Sequence, residues 1–500
     1  MDWPTQDLVA ARAAATPDRT ALIDADRDES ITYRGYDAAV GRRASALNQL
    51  ASDDPDRIAV LLGTRPAFAE LFFAAMRLGV SVVPLNVRLT PAEVSEQVER
   101  TDPAALICAR GTAATATEVF EGPIASVDET ERDGVQALED LGGEPVEPAT
   151  LTPETEQVVM FTSGTTGRPK GVRLTVENLV ASATASAFRL GVSPSDRWLC
   201  CLPTYHMGGL APVVRSALYG STVAIQREFE AAETARVLDE FEITGVSLVP
   251  TMLSRLLDAG WEPSEQLRFV LLGGAPAAEE LLARCRERDV PACPTYGMTE
   301  TASQIATATP EGAASHEGTV GQPLVNTTVT VVNEDGDPVA PGETGEIVVS
   351  GPTVTPGYLD PEVTEEAFGP EGLYTGDIGS RDEDGRLWVH NRVDDRIVTG
   401  GENVDPGEVV AVLREHPEIR EAAVVGLDDD EWGERVGALV IPADEAHPTA
   451  EDIEDHCRER LAGFKLPRTV GFAEELPRTA SGTIKKERIR NYLTEGDTQN

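Results

Sequence analysis

The chain has 500 residues, 41% of them apolar, which is enough material for at least two packed domains and excludes a peptide hormone or a small binding module. Its 42 basic and 85 acidic residues give a formal net charge of −43, and such a field repels nucleic-acid phosphates and anionic lipid. We therefore expect no nucleic acid and no membrane surface among its partners.

Arginine supplies nearly all of the positive charge. The only lysines are Lys170, Lys465, Lys485 and Lys486. An acidic, lysine-poor surface is typical of proteins from salt-loving microbes, in which high salt screens the self-repulsion. We expect a protein of a halophile; the alternative is an acidic protein of a mesophile.

The cysteines and the N-terminus indicate a reducing compartment. Six cysteines form no CxxC pair and no zinc-ligand spacing, so we expect neither a zinc site nor a disulfide framework. Residues 1–20 are acidic where a signal peptide needs a basic start, and no apolar run approaches the length of a membrane span. These features predict a cytoplasmic protein.

Strand-like apolar runs alternate with helical patterns in the N-terminal part. RIAVLL at 57–62 is followed by AFAELFFAAMRLG at 67–79 and by VSVVPL at 80–85. This alternation predicts an α/β fold with mainly parallel sheets.

A loop rich in glycine and threonine, FTSGTTGRPKG at 161–171, follows an apolar run and precedes a helical pattern. Its hydroxyls, backbone N–H groups and tight turns suit phosphate oxygens. The residues expected to bind phosphate are Thr162, Ser163, Gly164, Thr165, Thr166 and Gly167, with Lys170 neutralising charge. A Walker A loop is excluded because it needs glycine where Pro169 stands. The alternative is a flexible linker.

A domain boundary is expected near Asn391. Before it, DEDGRLWV at 382–389 predicts a hairpin, and after it come a short strand, a Gly-Gly loop and a helix that Pro406 starts. Another helix is predicted at 449–461. The pattern therefore predicts a large domain at 1–391 and a small one at 392–500.

The glycine/threonine loop and four later motifs resemble the acyl-adenylate-forming superfamily, which includes acyl-CoA synthetases, luciferases and adenylation domains of peptide synthetases. The later motifs are YGMTE at 296–300, YTGD at 374–377, Arg392 with Asp394, and GGE at 400–402. The resemblance implies a large α/β adenylate-forming domain of stacked sheets and helices, and a small mobile α+β domain. It also implies two half-reactions, in which ATP converts a carboxylate to an acyl-adenylate and coenzyme A then displaces AMP.

The same resemblance implies roles in nucleotide binding. Adenine would contact Gly273, Gly274, Ala275 and Tyr296, the last as a stacking face. Asp377 and Arg392 would bind the ribose, and Thr299 would bind the α-phosphate. Glu300 would be the Mg²⁺ ligand, a hard carboxylate beside the triphosphate. The alternatives are a plain turn residue for Asp377 and a surface ion pair for Arg392.

In the family, the second half-reaction follows a rotation of the small domain. Asp394 stands at the matching hinge position, and Gly401 would line a tunnel for the thiol. The alternative for the Gly-Gly pair is a tight turn.

The C-terminal signature departs from the family pattern PRTxxGK, in which the lysine bridges the acid and the α-phosphate. Here PRTASG at 477–482 is followed by Thr483. Lys485 lies on the same strand face as position 483 and is the expected substitute. The alternative is that Lys485 and Lys486 are solvated tail charges. Lys465 is expected to be structural or to face coenzyme A.

The middle of the chain, above all TYGMTETASQ at 295–304, resembles the o-succinylbenzoate–CoA ligases of menaquinone biosynthesis. That acid has two carboxylates, so its pocket needs a fixed cation, for which Arg215 is expected. His206 would be the aromatic gatekeeper beside the acyl group, and Gly297 would line the pocket. The alternatives are a helix-surface ion pair for Arg215 and a core histidine for His206.

The sequence therefore predicts an ATP- and Mg²⁺-dependent acid–CoA ligase, a monomer or homodimer, acting on o-succinylbenzoate. One alternative is another aromatic or fatty acid–CoA ligase. The other is an adenylate-binding protein that lost turnover with the lysine at 483.

Overall fold

The computed structural model describes residues 5–51, 55–162, 169–277, 279–333, 335–392, 397–404, 406–443, 446–477 and 486–497. The chain forms two compact units. Unit 1 comprises Met1–Val87, Gln97–Phe161 and Gly171–His390, and unit 2 comprises Arg88–Glu96, Thr162–Lys170 and Asn391–Asn500.

The strands of the described residues, in chain order, are β1 (Thr20–Asp24), β2 (Glu29–Thr32), β3 (Arg57–Leu61), β4 (Ser81–Pro84), β5 (Ala105–Cys108), β6 (Ile124–Ser126), β7 (Val135–Ala137), β8 (Glu156–Thr162), β9 (Lys170–Thr175), β10 (Arg197–Cys200), β11 (Thr222–Ile225), β12 (Gly245–Leu248), β13 (Phe269–Leu272), β14 (Ala292–Met298), β15 (Ser303–Thr307), β16 (Gln322–Pro323), β17 (Thr328–Val332), β18 (Thr344–Ser350), β19 (Gly357–Tyr358), β20 (Phe368–Gly369), β21 (Gly372–Arg381), β22 (Leu387–Arg392), β23 (Ile397–Thr399), β24 (Glu402–Val404), β25 (Ile419–Asp429), β26 (Gly433–Pro442) and β27 (Thr469–Phe472).

The α-helices of the same residues are α1 (Leu8–Ala15), α2 (Tyr33–Leu50), α3 (Pro66–Leu78), α4 (Pro91–Thr101), α5 (Ala113–Val119), α6 (Val176–Leu190), α7 (Met207–Tyr219), α8 (Ala231–Glu240), α9 (Pro250–Asp258), α10 (Glu279–Glu287), α11 (Pro310–Ser315), α12 (Pro361–Ala367), α13 (Pro406–Arg414), α14 (Ala450–Arg458) and α15 (Lys486–Asp497). None of them is both long enough and apolar enough to cross a membrane.

Two large sheets organise the described part of unit 1. One has the strand order β19-β9-β8-β4-β3-β5-β6-β7, and the other has the order β16-β15-β14-β13-β12-β10-β11-β1-β2. Their central neighbours are parallel, as in β4-β3-β5 and β10-β12-β13-β14. A third, antiparallel sheet has the order β17-β18-β21-β20, with β22 beside β21. The predicted α/β class is confirmed.

The strand–helix–strand unit predicted at 57–85 forms β3, α3 and β4. Helix α3 begins with proline, whose fixed φ suits a first helical turn, and ends at Gly79, whose φ of +71° requires a residue without a side chain. Phe68, Phe72 and Phe73 of this helix are buried in the main apolar core of unit 1. Local periodicity and end signals therefore determine this part of the fold.

Unit 2 has a mixed sheet with the order β24-β23-β26-β25 and with β27 parallel to β26. The helix predicted at 449–461 is α14, which Thr449 caps by accepting from the Asp452 N–H. Val409 and Leu413 of α13 share a buried cluster with Ile453 of α14. Long antiparallel strands with separate helices match the expected small α+β domain.

Candidate active site

The carboxyl ends of β10, β12 and β13 lie at one edge of the second large sheet, because these strands are parallel neighbours. The segment after β10 carries His206, and the segment after β13 carries residues 273–275. Ligands in open parallel sheets bind outside the carboxyl ends of the strands. The fold thus brings the predicted acid-binding and adenine-binding segments to one edge.

The glycines after β13 have structural reasons to be glycine. A Cβ on Gly273 would lie 2.7 Å from Thr295 Cγ2 on the neighbouring strand β14, and Gly274 has a φ of +82°. Ala275 follows them and is half-buried. The close approach leaves backbone rather than side chains along this stretch, as binding a flat base would require.

Tyr296 and Asp377 are in direct contact, although 81 residues separate them. The Tyr296 hydroxyl donates to Asp377 Oδ2 at 2.6 Å, and Thr375 Oγ1 accepts from the Asp377 N–H at 3.1 Å. Asp377 is buried. The pair holds a carboxylate in a fixed orientation beside the adenine segment, which suits recognition of ribose hydroxyls.

Glu300 lies in the 3₁₀ turn Thr299–Thr301 between β14 and β15, and its side chain is buried. Its Oε1 accepts from the Tyr358 hydroxyl at 3.1 Å, and its backbone carbonyl accepts from the Thr355 N–H at 2.7 Å. The described residues contain no cluster of three or more metal-ligating side chains. A single oriented carboxylate still fits Mg²⁺, which keeps several waters and takes further ligands from substrate phosphates.

The turn after Glu300 has strained backbone. Ala302 has a φ of +50° and Ser303 a φ of +119°, values that non-glycine residues rarely adopt. Ser182 of α6 donates to the Ala302 carbonyl at 2.6 Å. A Cβ on Gly297 would lie 1.7 Å from the Ser303 carbonyl oxygen. Gly297 is therefore needed for close packing of this turn, whatever its part in lining a pocket.

Arg215 is 1% exposed, on α7, and its Nη2 donates to Ser303 Oγ at 3.2 Å. The guanidinium carbon lies 5.1 Å from the centroid of the Trp198 ring, and no residue in the described part of the chain forms a hydrogen bond with Arg215 Nε. None of the ion pairs among the described residues includes it. Burial lowers the pKa of Arg215 to about 10. The alternative of a helix-surface ion pair is therefore wrong.

A cavity of about 10 Å³ lies beside Arg215, between α6 and α7, and Ser182 and Ala302 also line it. A space of this size holds roughly one water molecule. The buried cation therefore lines a small internal space next to the strained turn.

His206 precedes α7 at its N-terminal cap, and its ring lies 4.9 Å from that of Tyr205. The side chain is half-buried rather than enclosed in a core. This position differs from that of a fully buried core histidine and is compatible with a wall of an acyl pocket.

Several predicted residues border or lie outside the described ranges. Thr162 ends β8 and Lys170 begins β9, and both are half-buried. Ser163, Gly164, Thr165, Thr166, Gly167, Asp394, Thr483 and Lys485 lie outside the described residues. Arg392 ends β22, and only its backbone is described.

The Gly-Gly pair between β23 and β24 forms a turn with left-handed backbone. Gly400 has a φ of +58° and Gly401 a φ of +82°. The Gly400 N–H donates to the Trp432 carbonyl at 2.8 Å, and a Cβ on Gly400 would lie 2.6 Å from the Trp432 ring. The Gly-Gly pair therefore forms a tight turn, and the role of Gly401 in a thiol tunnel stays a prediction.

Lys465 is buried within unit 2 and forms ion pairs with Glu93 at 2.7 Å and Glu408 at 2.8 Å. Burial alone would lower the pKa of Lys465, but the carboxylates of Glu408 and Glu93 raise it above its usual value. The structural alternative for Lys465 is therefore supported.

Sequence reasoning missed Tyr358, Thr355 and Ser182, which hold Glu300 and the turn after it. No motif marks them, because their contacts depend on the pairing of β19 and on the packing of α6. Ser303, which accepts a hydrogen bond from Arg215, was also missed. Its place in the motif at 295–304 is the one sequence signal that could have identified it.

A family model described as "AMP-binding enzyme" matches residues 9–359, and one described as "AMP-binding enzyme C-terminal domain" matches residues 408–483. The chain belongs to the AMP-binding enzyme family. Within it, the chain is similar to the 2-succinylbenzoate–CoA ligase of Bacillus licheniformis, with 38% identity over 98% of this chain and 100% of that protein.

Two solved structures of o-succinylbenzoate CoA synthetase from Bacillus subtilis are also similar to this member of the family. A double mutant bound with its product analogue OSB-NCoA has 35% identity, covers 98% of both chains and gives a TM-score of 0.90. A complex with ATP and magnesium ion has 35% identity, covers 98% of this chain and 99% of that one, and gives a TM-score of 0.74.

Proposed function

We propose that the chain is a 2-succinylbenzoate–CoA ligase of menaquinone biosynthesis. It joins the acid to coenzyme A in two half-reactions, using ATP and Mg²⁺. The observation that carries the choice of acid is Arg215, a fully buried cation that lies beside Ser303 and has no carboxylate partner among the described residues. The similarity to ligases of this name supports the same choice.

The cost of burying Arg215 is the argument for a dianionic substrate. A charge taken out of water costs several kcal/mol unless an opposite charge compensates it. A second substrate carboxylate would provide that charge; because the space beside the guanidinium holds about one water, that water or Ser303 would bridge the two groups. In an acid with one carboxylate, that group reacts with ATP, so the positive charge of Arg215 has no substrate carboxylate to compensate it. The geometry therefore favours a dicarboxylic acid.

In the first half-reaction a carboxylate oxygen of the acid attacks the α-phosphorus of ATP, and pyrophosphate leaves. Residues 273–275 and Tyr296 hold adenine, Asp377 and Arg392 hold the ribose, and Thr299 donates to the α-phosphate. Residues 162–167 and Lys170 surround the departing phosphates. Glu300 would hold Mg²⁺, which neutralises phosphate charge when bound.

In the second half-reaction the thiol sulfur of coenzyme A attacks the acyl carbon, and AMP leaves with the bonding electron pair. His206 and Gly297 line the acyl pocket, and Gly401 lines the approach of the thiol. The proposal includes domains at 1–391 and 392–500 with a hinge at Asp394, and Lys485 as the substitute for the lysine that Thr483 replaces. We also propose that the protein is cytosolic, adapted to high salt, and a monomer or homodimer.

A panel of acids tests the function directly. Purified protein is incubated with ATP, Mg²⁺ and 2-succinylbenzoate, benzoate or a medium-chain fatty acid, with pyrophosphate measured first and the CoA ester second. We expect kcat/KM to be highest for 2-succinylbenzoate. Preference for a fatty acid or benzoate would make the chain a related ligase. ATP binding without pyrophosphate release from any acid would make it an adenylate-binding protein.

A further inference from the structure

The short strand β19 and the residues just before it bind Glu300 through both its side chain and its backbone carbonyl. The Tyr358 hydroxyl donates to Glu300 Oε1 at 3.1 Å, while the Thr355 N–H donates to the Glu300 carbonyl at 2.7 Å. Tyr358 is 6% exposed, so water competes little for its hydroxyl. Among the described residues, Tyr358 is the only side chain that donates to the Glu300 carboxylate.

The position of β19 is itself fixed by neighbouring structure. The strand pairs with β9 in antiparallel register, with Tyr358 opposite Val172 and Gly357 opposite Arg173. The Tyr358 N–H donates to Thr364 Oγ1 at 2.9 Å. A Cβ on Gly357 would lie 2.5 Å from Thr364 Cγ2, and its φ is +142°. The tyrosine therefore reaches Glu300 from a backbone that has little freedom.

Strand β9 is also the strand that leaves the glycine/threonine loop. It begins at Lys170, and two residues later Val172 pairs with Tyr358. The pairing of Val172 with Tyr358 therefore fixes the strand that carries the tyrosine to Glu300. A shift of β19 along β9 would move the tyrosine hydroxyl away from Glu300.

We propose that Tyr358 is a positioning residue for Mg²⁺–ATP. Its hydroxyl fixes the orientation of the Glu300 carboxylate before the metal arrives, so less rotational freedom is lost on binding. Hydrogen-bond partners of metal ligands typically change metal affinity or activity by about 10- to 100-fold when they are removed. The inference rests on the metal role of Glu300 in the proposed function.

Tyr358→Phe tests the inference, because it removes one hydroxyl and keeps the buried ring. ATP binding is measured by calorimetry without acid, so that no turnover occurs, over a series of Mg²⁺ concentrations. We expect the Mg²⁺ concentration needed for half-maximal tightening of ATP binding to rise by about tenfold or more. ATP affinity without Mg²⁺ should stay at the wild-type value.

Tyr33→Phe is the matched control. Tyr33 is 1% exposed, and its hydroxyl donates to the Ser216 and Ser221 carbonyls at 2.9 and 2.7 Å. This variant also loses a buried hydroxyl, so its melting temperature should fall while its Mg²⁺ dependence remains wild-type. An equal rise in the half-maximal Mg²⁺ concentration in both variants would show that any loss of a buried hydroxyl has this effect through lower stability. That result would overturn the inference.

Glu300→Gln separates the inference from the function on which it rests. If Glu300→Gln weakens Mg²⁺-dependent ATP binding and Tyr358→Phe does not, the positioning role is wrong and the metal role stands. If neither variant changes it, the metal role of Glu300 fails and the inference fails with it. In the double variant, Tyr358→Phe should add little to Glu300→Gln, because the two residues act through one interaction.

Discussion

Arg215 combines a buried position with the ability to remain charged. Burial lowers the pKa of its guanidinium to about 10, which still leaves it protonated at neutral pH. Its contacts, a serine hydroxyl and an indole ring, supply no negative charge. Arg215 is therefore a buried cation whose desolvation is not compensated by these contacts. Such a cation is expected where a protein selects an anionic ligand.

Replacing Arg215 by methionine keeps much of the apolar stem and removes the charge. We expect KM for 2-succinylbenzoate to rise roughly thirtyfold or more, because an unpaired, desolvated carboxylate typically costs about 2 to 5 kcal/mol. KM for benzoate should change far less. The free energy of unfolding should stay constant or increase, since an uncompensated buried charge is lost.

Arg189→Met provides a control for this substitution. Arg189 lies on α6, donates to the Gln322 and Pro323 carbonyls, and has its pKa lowered by burial as well. The ratio of the two KM values should be wild-type in this variant. Equal rises for both acids in Arg215→Met would place the specificity cation elsewhere.

The pKa of Arg215 also predicts a pH dependence. Above about pH 10 the free enzyme loses this cation, so kcat/KM for 2-succinylbenzoate should fall relative to that for benzoate. For stability the sign is opposite. The pKa of Arg215 is lower in the folded state, so above about pH 10 the unfolded state binds more protons than the folded state. The free energy of unfolding therefore rises with pH in this range, because folding no longer buries a charged guanidinium. The ratio of kcat/KM values from pH 7 to 10.5 measures the first effect, and a constant ratio would contradict it.

At the scale of elements, the β14–β15 hairpin connects residues proposed to bind the nucleotide with residues proposed to bind the acid. Tyr296 on β14 contacts Asp377, the connecting turn contains Glu300, and Ser303 at the start of β15 accepts from Arg215. The register shifts between Tyr296 and Gly297. Bulges of this kind re-aim side chains next to functional sites.

Gly297→Ala tests how tightly this hairpin is packed. The new Cβ would lie 1.7 Å from the Ser303 carbonyl oxygen, so the strands must separate. We expect the free energy of unfolding to fall by about 1 to 3 kcal/mol or more, with a loss of ligase activity. The control is Gly111→Ala, where the described residues other than its chain neighbours place no atom within 4 Å of the added Cβ. Similar unfolding curves for the two variants would show that the hairpin yields easily.

The elements predicted from the sequence are those that local signals determine. The unit β3-α3-β4 follows apolar periodicity, an initial proline and a terminal glycine, and the structure places it within a few residues of the prediction. The role of β19 had no such signal. It depends on pairing with β9 and on a hydrogen bond between residues 58 positions apart, from Tyr358 to Glu300. Motifs identify residues that touch a ligand, and the residues that hold them in place need the folded chain.

At the scale of the whole molecule, the dominant feature is the unbalanced negative charge. Exposed arginines do form ion pairs, such as Arg236 with Glu233 and Arg458 with Glu454. With 85 acidic and only 42 basic residues, one-to-one pairing would still leave 43 carboxylates without a basic partner. The excess carboxylates repel one another across the surface, and this repulsion opposes the compact state.

Screening that repulsion should stabilise the protein. The Debye length falls from about 10 Å at 0.1 M salt to about 3 Å at 1 M, so neighbouring surface carboxylates then interact far more weakly. We expect the melting temperature to rise steeply with NaCl over this range. Sucrose at matched osmolality is the control, because it is excluded from protein surfaces but screens no charge. A melting temperature that depends on NaCl no more than on sucrose would contradict adaptation to salt through the −43 charge, and the acidic surface would then be that of a mesophilic protein.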